Sequence, residues 1–246
     1  MSRARGVAAG LAQALALLLW CLLALQLALL LRIALMALVD PRSTTFERSE
    51  ILRLAVEQHQ VAWSQTWTDY GQISDHLKRA VIASEDAGFT EHTGADFDAM
   101  EQAWDRNVQA QTRAARPGAR AAGSRLRGGS TITQQLAKNL LLSGERTVVR
   151  KGQELLLAWA LELLLDKRRI LELYLNHVEW GEGVFGAQAA ARHYFRVDAG
   201  RLSADQAARL AVMLPAPKRF ERRPRSDYLL ARSATILSRM PAVDLP

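Results

Sequence analysis

Hydrophobic positions along the chain follow two different patterns. From Val7 to Leu31 there is no charge, and only Gln13 and Gln26 interrupt the apolar run. As a helix this stretch extends about 37 Å at ~1.5 Å per residue, which spans a hydrocarbon core of about 30 Å. Arg3 and Arg5 precede it with no acid between them. The positive-inside rule therefore places that end in the cytoplasm and everything after Arg32 outside it. A cleaved signal peptide has an apolar stretch of only about 7–15 residues and a small-x-small site behind it. This run is longer, and residues 32–40 offer no such site. The expectation is an uncleaved, single-pass anchor in the cytoplasmic (inner) membrane, residues 1–39, with Cys21 as one of its apolar positions. The domain that follows should stand on the outer, periplasmic face.

Beyond Asp40-Pro41 the pattern becomes amphipathic. Residues 40–73, with Trp63, Trp67 and Tyr70, read as a connecting segment that packs on the domain, and 74–246 as the domain itself. Ser74 or Asp75 caps a helix that puts Leu77, Ala80, Val81 and Ala83 on one face and runs into Glu85-Asp86. Thr131-Ile-Thr-Gln134 has the spacing of a capping box, with Leu136, Leu140 and Leu141 continuing the helix. Only Glu162 interrupts Leu155–Leu165, which is too short to cross a bilayer and is expected as a buried core helix. Ile170–Asn176 continues helically. Ser203-x-x-Gln206 is a second capping box, and Pro215 stops the helix that it starts. Alternating patterns are nearly absent, so the fold class is mainly α.

Composition narrows this further. The formal net charge is +7, but three arginines belong to residues 1–32, leaving 29 basic against 25 acidic residues in the remainder. That excess is too small for a nucleic-acid binder and suits an anionic membrane surface or an anionic, lipid-linked ligand. One cysteine excludes an internal disulfide framework. Residues 106–127 hold six arginines and no acid, with Pro117, Gly118 and Gly123, and read as a mobile basic loop.

Two carboxylates occupy unlike settings. Glu85 ends an apolar-faced helix, where burial and the negative end of the helix dipole both raise its pKa toward that of a general acid or base. Glu154 follows Arg150-Lys151, whose charges keep it ionised. Gly128-Gly129-Ser130-Thr131 feeds a helix N-terminus and forms an anion-binding geometry, with Lys138, Arg146, Arg150 and Lys151 downstream. It lacks the Gly-Lys-Ser/Thr ending of a nucleotide-binding loop. A solvated helix end and an ordinary capped helix are the plain alternatives for these features. Gly181-Glu-Gly183-Val-Phe-Gly186 matches a dinucleotide-binding fingerprint, but no strand–helix–strand pattern surrounds it, and nucleotide binding is rejected.

The same residues resemble a known family. Glu85-Asp86-Ala-Gly-Phe89-Thr-Glu-His92-Thr-Gly94 is similar to the EDxxFxxHxG motif of the family 51 peptidoglycan glycosyltransferases, and Gly128–Gln135 with Lys138-Asn139 to their GGSTITQQxxKN motif. Arg150-Lys151-Gly-Gln-Glu154 resembles RKxxE, Ile170–Asn176 resembles ILExYLN, and Gly186–Phe195 their last motif. The motifs stand in family order over about residues 75–220. A single anchor and the absence of an SxxK motif resemble the monofunctional form. The resemblance implies a lysozyme-like fold with a membrane-facing groove, and polymerisation of lipid II into β-1,4-linked glycan strands with loss of undecaprenyl pyrophosphate. Glu85 would be the base that takes the proton of the acceptor 4-hydroxyl, which attacks C1 of the donor with inversion.

A diphosphate leaving group needs charge neutralisation rather than a proton. Lys138, Arg146, Arg150 and Lys151 are expected to supply it, with Glu154 orienting or balancing them. Ser130, Gln134 and Gln135 are expected to hold sugar or phosphate oxygens, and Asp86 and His92 to fix Glu85 and its loop. Phe89 is expected to pack and Asn176 to cap. A divalent metal (Mg or Mn) at the diphosphate fits the chemistry, although no all-protein cage for it is visible. Partners expected are lipid II, the growing strand, membrane lipid and other cell-wall synthesis proteins, and no nucleic acid. The chain departs from the family pattern at Ala87, where many relatives are basic, and in the 69-residue interval from Glu85 to Glu154, whose excess maps to the arginine-rich stretch. Two other classes stay open at this point: a lysozyme-like cleaving enzyme with Glu85 as acid, and a membrane-tethered scaffold without activity.

Overall fold

The structure, a computed structural model, describes residues 2–59, 61–114, 129–142, 147–224 and 226–246. Contacts divide the chain into two units, Met1–Pro41 and Arg42–Pro246. The first is a helix, α1 (Ser2–Leu35), of which Gly10–Leu35 is long and apolar enough to cross a membrane. Its leucines and Trp20 point outward all round, as expected of a helix solvated by lipid rather than water.

The second unit is mainly helical. It comprises α2 (Thr45–Glu57), α3 (Asp75–Glu85), α4 (Phe97–Ala114), α5 (Ile132–Leu141), α6 (Val148–Leu164) and α7 (Lys167–His177). A two-stranded antiparallel hairpin, β1 (Glu179–Gly181) and β2 (Val184–Phe185), follows. The unit ends with α8 (Ala187–Phe195), α9 (Ala204–Met213), α10 (Pro217–Glu221) and α11 (Asp227–Arg239). Helix α3 packs against α9 and α11, and α5 packs against α6, α7 and α2. The core between them includes Leu77, Val81, Ile132, Leu136, Leu140, Leu161, Leu171 and Leu210, all at 0–1% exposure. Each such side chain contributes about 1.5–3 kcal/mol by leaving water.

Local sequence explains most of the element ends. Ser74 caps α3 by accepting from the amide of His76, at 3.3 Å. Ser203 and Gln206 form the reciprocal capping box that starts α9. At Thr131 only half of the expected box forms. Its hydroxyl oxygen accepts from the Gln134 amide at 3.2 Å and donates to the Gly94 carbonyl at 2.7 Å, while the Gln134 side chain is buried instead of reaching back.

Residues 42–73 carry α2 and an extended stretch, both tied to the helices. Asn176 is fully buried; its Oδ1 accepts from the Thr68 amide, and its Nδ2 donates to the carbonyls of Thr68 and Glu172. It therefore clamps this segment onto α7, where a helix cap had been expected. Gly183 and Gly186 sit at the hairpin with φ of +70° and +80°. A Cβ on Gly183 would lie 1.9 Å from the Ala62 carbonyl oxygen, and one on Gly186 would lie 2.6 Å from that of Asn176. The glycine fingerprint is thus explained by close backbone approach in a hairpin.

Two expectations are corrected. Residues 106–114, read as the start of a loop, are the second half of α4. Alanine, glutamine and arginine are good helix formers, and a run of like charge discourages a helix less than proline or glycine does. Residues 115–127 of that stretch lie outside the described residues. The stretch 155–165, read as a buried core helix, falls mostly within α6, where Leu157, Ala158, Ala160 and Leu161 are buried. Val149 (85% exposed), Leu156 (53%), Trp159 (43%) and Leu163 (83%) face outward. An apolar run reveals a preference to leave water, not what covers it.

Candidate active site

The last turn of α3 delivers Glu85. Packing of the apolar face against α9 fixes the helix, and Ser84 Oγ contacts both the Ala211 carbonyl (3.5 Å) and Glu85 Oε1 (3.4 Å). The Glu85 carboxylate is half-buried and accepts a hydrogen bond from Gln135 Nε2 at 3.0 Å. Burial pushes its pKa above the usual carboxylate range, against the opposing effect of the Gln135 and Ser84 donors. Asp86 adds to the rise, and Arg232 on α11 opposes it.

Asp86 couples two elements. Its Oδ2 accepts from the Ile132 amide at 2.9 Å, in the first turn of α5. Its Oδ1 meets His92 Nε2 at 2.8 Å. An ionised carboxylate only accepts, so His92 carries a proton on Nε2. Asp86 therefore stitches the end of α3 to the start of α5, with the favourable sign for a helix N-terminus. Phe89 is fully buried beneath this loop, with the Lys167 ammonium 4.6 Å from its ring centre.

Helix α5 joins this pole to a second one. Ser130, just before the helix, accepts from Lys151 Nζ at 3.2 Å. Lys151 also pairs with Glu154 Oε1, and Arg150 Nη1 pairs with Glu154 Oε2 at 2.9 Å. Glu154 is 3% exposed, and the spacing of these residues along α6 puts them on one helix face. Lys138 is half-buried, one turn beyond Gln135 on α5. Glu85, Gln135, Asp86 and His92 thus form one pole, and Ser130, Arg150, Lys151 and Glu154 the other. Gln134 lies between them, 1% exposed, and neither atom of its amide has a protein partner. Arg146 and Gly128 lie outside the described residues.

Sequence reasoning gave no role to Tyr174 or Arg232. Tyr174, fully buried on α7, donates to Gln135 Oε1 at 3.0 Å. Tyr174 stands in a recognised motif, but nothing in its local pattern points to Gln135. Two cavities of about 750 and 270 Å³ lie apart from both poles, lined by residues of α8–α11 and the connections between them. Among the described residues no group of three His, Cys, Asp or Glu side chains could hold a metal ion.

A family model described as Transglycosylase matches residues 52–241. The chain is similar to a biosynthetic peptidoglycan transglycosylase of Paraburkholderia xenovorans (strain LB400), 52% identical over 215 residues that cover 87% of this chain and 85% of that one. It is similar to the protein of the same description from Burkholderia thailandensis, 51% identical over 245 residues, covering 100% and 91%. Its counterpart in Bordetella pertussis is 52% identical over 207 residues, covering 84% and 82%.

Proposed function

Because the chain belongs to the transglycosylase family, we propose that it is a peptidoglycan glycosyltransferase of cell-wall synthesis, polymerising lipid II into β-1,4-linked glycan strands and releasing undecaprenyl pyrophosphate. The observation that carries the reading is the division of the site into two poles. One holds a half-buried carboxylate whose hydrogen bonds come from neutral groups, Gln135 and Ser84. The other holds cations gathered around Ser130 and Glu154.

In this reading Glu85 accepts the proton of the acceptor 4-hydroxyl as that oxygen bonds to C1 of the donor sugar. The bond from C1 to the diphosphate oxygen breaks, with inversion at C1. A raised pKa suits a base that must hold the proton it takes, and such a group contributes roughly 10²–10⁴-fold. The departing diphosphate carries its own charge and needs no proton. Lys138, Arg150, Lys151, Arg146 and the Ser130 hydroxyl neutralise and orient it. Glu154 holds Arg150 and Lys151 in place, and Asp86 and His92 hold the loop that carries Glu85.

A cleaving enzyme of lysozyme type has no such need for cations, because it must protonate a sugar oxygen. The basic pole disfavours that alternative. Incubating the detergent-solubilised protein with lipid II separates the two. The polymerase makes long glycan and frees undecaprenyl pyrophosphate, and it releases nothing from purified cell wall. Fragments freed from cell wall without lipid II would instead assign cleavage.

The same reading makes α1 a single-pass anchor in the inner membrane, with its N-terminus in the cytoplasm by the charges of Arg3 and Arg5. The outward apolar side chains of α6, and Phe97 and Trp104 of α4, are exposed and suit contact with the lipid in which the substrate is anchored.

A further inference from the structure

We propose that Tyr174 is a positioning residue for the base: its hydroxyl, donated to Gln135 Oε1, locks that amide with Nε2 facing Glu85 Oε2. The inference rests on the reading of Glu85 as the base and adds a residue to it.

The chain of contacts runs across three helices. Tyr174 on α7 donates to Gln135 on α5 at 3.0 Å, and Gln135 donates to Glu85 at the end of α3 at 3.0 Å. An amide can rotate by half a turn and exchange its oxygen for its nitrogen with little change in shape. Only one orientation serves this site. A carboxylate accepts and never donates, so it needs the amide NH₂. A phenol that keeps its proton can give it to the amide oxygen. Tyr174 is 0% exposed. Burial and the charges of Glu85 and Asp86 push its pKa well above that of an ordinary phenol, so its proton stays. With the hydroxyl removed, the amide can turn its oxygen toward Glu85 and oppose the ionised form.

The other groups acting on Glu85 come from each surrounding element. Asp86, paired with His92, disfavours ionisation, and Arg232 from α11 favours it. Helix α9 contributes the Ala211 carbonyl through Ser84. Lys138 lies one turn beyond Gln135 on α5. None of these fixes which atom of Gln135 faces the base; Tyr174 does.

The test is the pH dependence of the polymerisation rate at low lipid II concentration. It compares the full-length protein, Tyr174→Phe, Gln135→Leu and the double variant. Tyr174→Phe should move the acid limb up by about one pH unit, a roughly tenfold loss of rate below the limb. Gln135→Leu should move it in the same direction, and adding Tyr174→Phe to Gln135→Leu should move it no further, because the hydroxyl acts only through the amide. An acid limb for folded Tyr174→Phe that coincides with the parent's overturns the proposal. So does an equal shift in the Gln135→Leu background. If Tyr174→Phe fails to fold by its melting curve, Tyr174→Leu, which also lacks the hydroxyl, takes its place: an unmoved limb overturns the proposal and an upward shift that vanishes in the Gln135→Leu background supports it. Glu85→Gln in the same assay separates the two levels, since a parental rate there defeats the assignment of the base rather than that of Tyr174.

Discussion

Glu85 and Glu154 are the same residue type in the same small domain, and their surroundings differ in nearly every respect. Glu85 ends a helix, accepts from an amide and a hydroxyl, and is pushed toward its neutral form by burial. Glu154 sits in the second turn of a helix, 3% exposed, with one cation on each oxygen. A carboxylate locked between two cations holds those cations still. A carboxylate supported by neutral donors can gain and lose a proton without breaking an ion pair. The comparison shows how environment alone gives one chemical group two opposite electrostatic settings.

Glu179 sharpens the point. Burial, with help from Glu50 and against Lys218, pushes its carboxyl up to about 7. Yet it sits at the hairpin, with Lys218 Nζ 3.4 Å from its Oε1. A raised pKa alone does not select a base.

The comparison can be broken in steps. The largest effect short of Glu85 itself is expected from Glu154→Leu, which strands the partly buried Arg150 guanidinium. It should cost about 3 kcal/mol of stability, a fall of roughly 6–12 °C in Tm, together with activity. A variant of parental Tm would mean that the pair does not hold the cationic pole. Lys138→Ala should follow, lowering polymerisation roughly 100-fold with little change in the melting curve. An unchanged rate with a lower Tm would make Lys138 structural.

The smallest effect is expected from Glu179→Gln. A carboxyl raised in the folded state stabilises the fold below about pH 4.5, and that contribution is lost as the pH climbs through about 7. The variant should therefore match the parent at pH 5 and exceed it in Tm by a few degrees at pH 8, with parental polymerisation. Loss of activity there would extend the site beyond the two poles.

How much was readable in advance follows from the range of each interaction. The caps at Ser74 and Ser203 act within three residues and were legible. So was the run of apolar positions that delivers Glu85, and the cation–carboxylate spacing of Arg150, Lys151 and Glu154. The extent of α4 was hidden because six arginines between two helices look like a loop, although charge breaks helices only weakly. The outward face of α6 was hidden because apolar periodicity cannot name the solvent beyond it. The Thr131 hydroxyl also serves Gly94 and Asp86 takes the Ile132 amide, contacts 37 and 46 residues away in sequence that no local pattern shows. Tyr174 was missed for the same reason: its partner Gln135 is 39 residues away, and only the fold brings them together.

The central claim is that Glu85 moves a proton and does not hold the fold. It is tested most directly by measuring lipid II turnover and thermal stability of Glu85→Gln side by side at pH 7. Turnover should fall by roughly 10²–10⁴-fold. Tm should equal or exceed the parent's, because the amide removes a buried group that resists ionisation. Polymerisation within a few fold of the parental rate, in a variant that is folded and binds lipid II, would contradict the account.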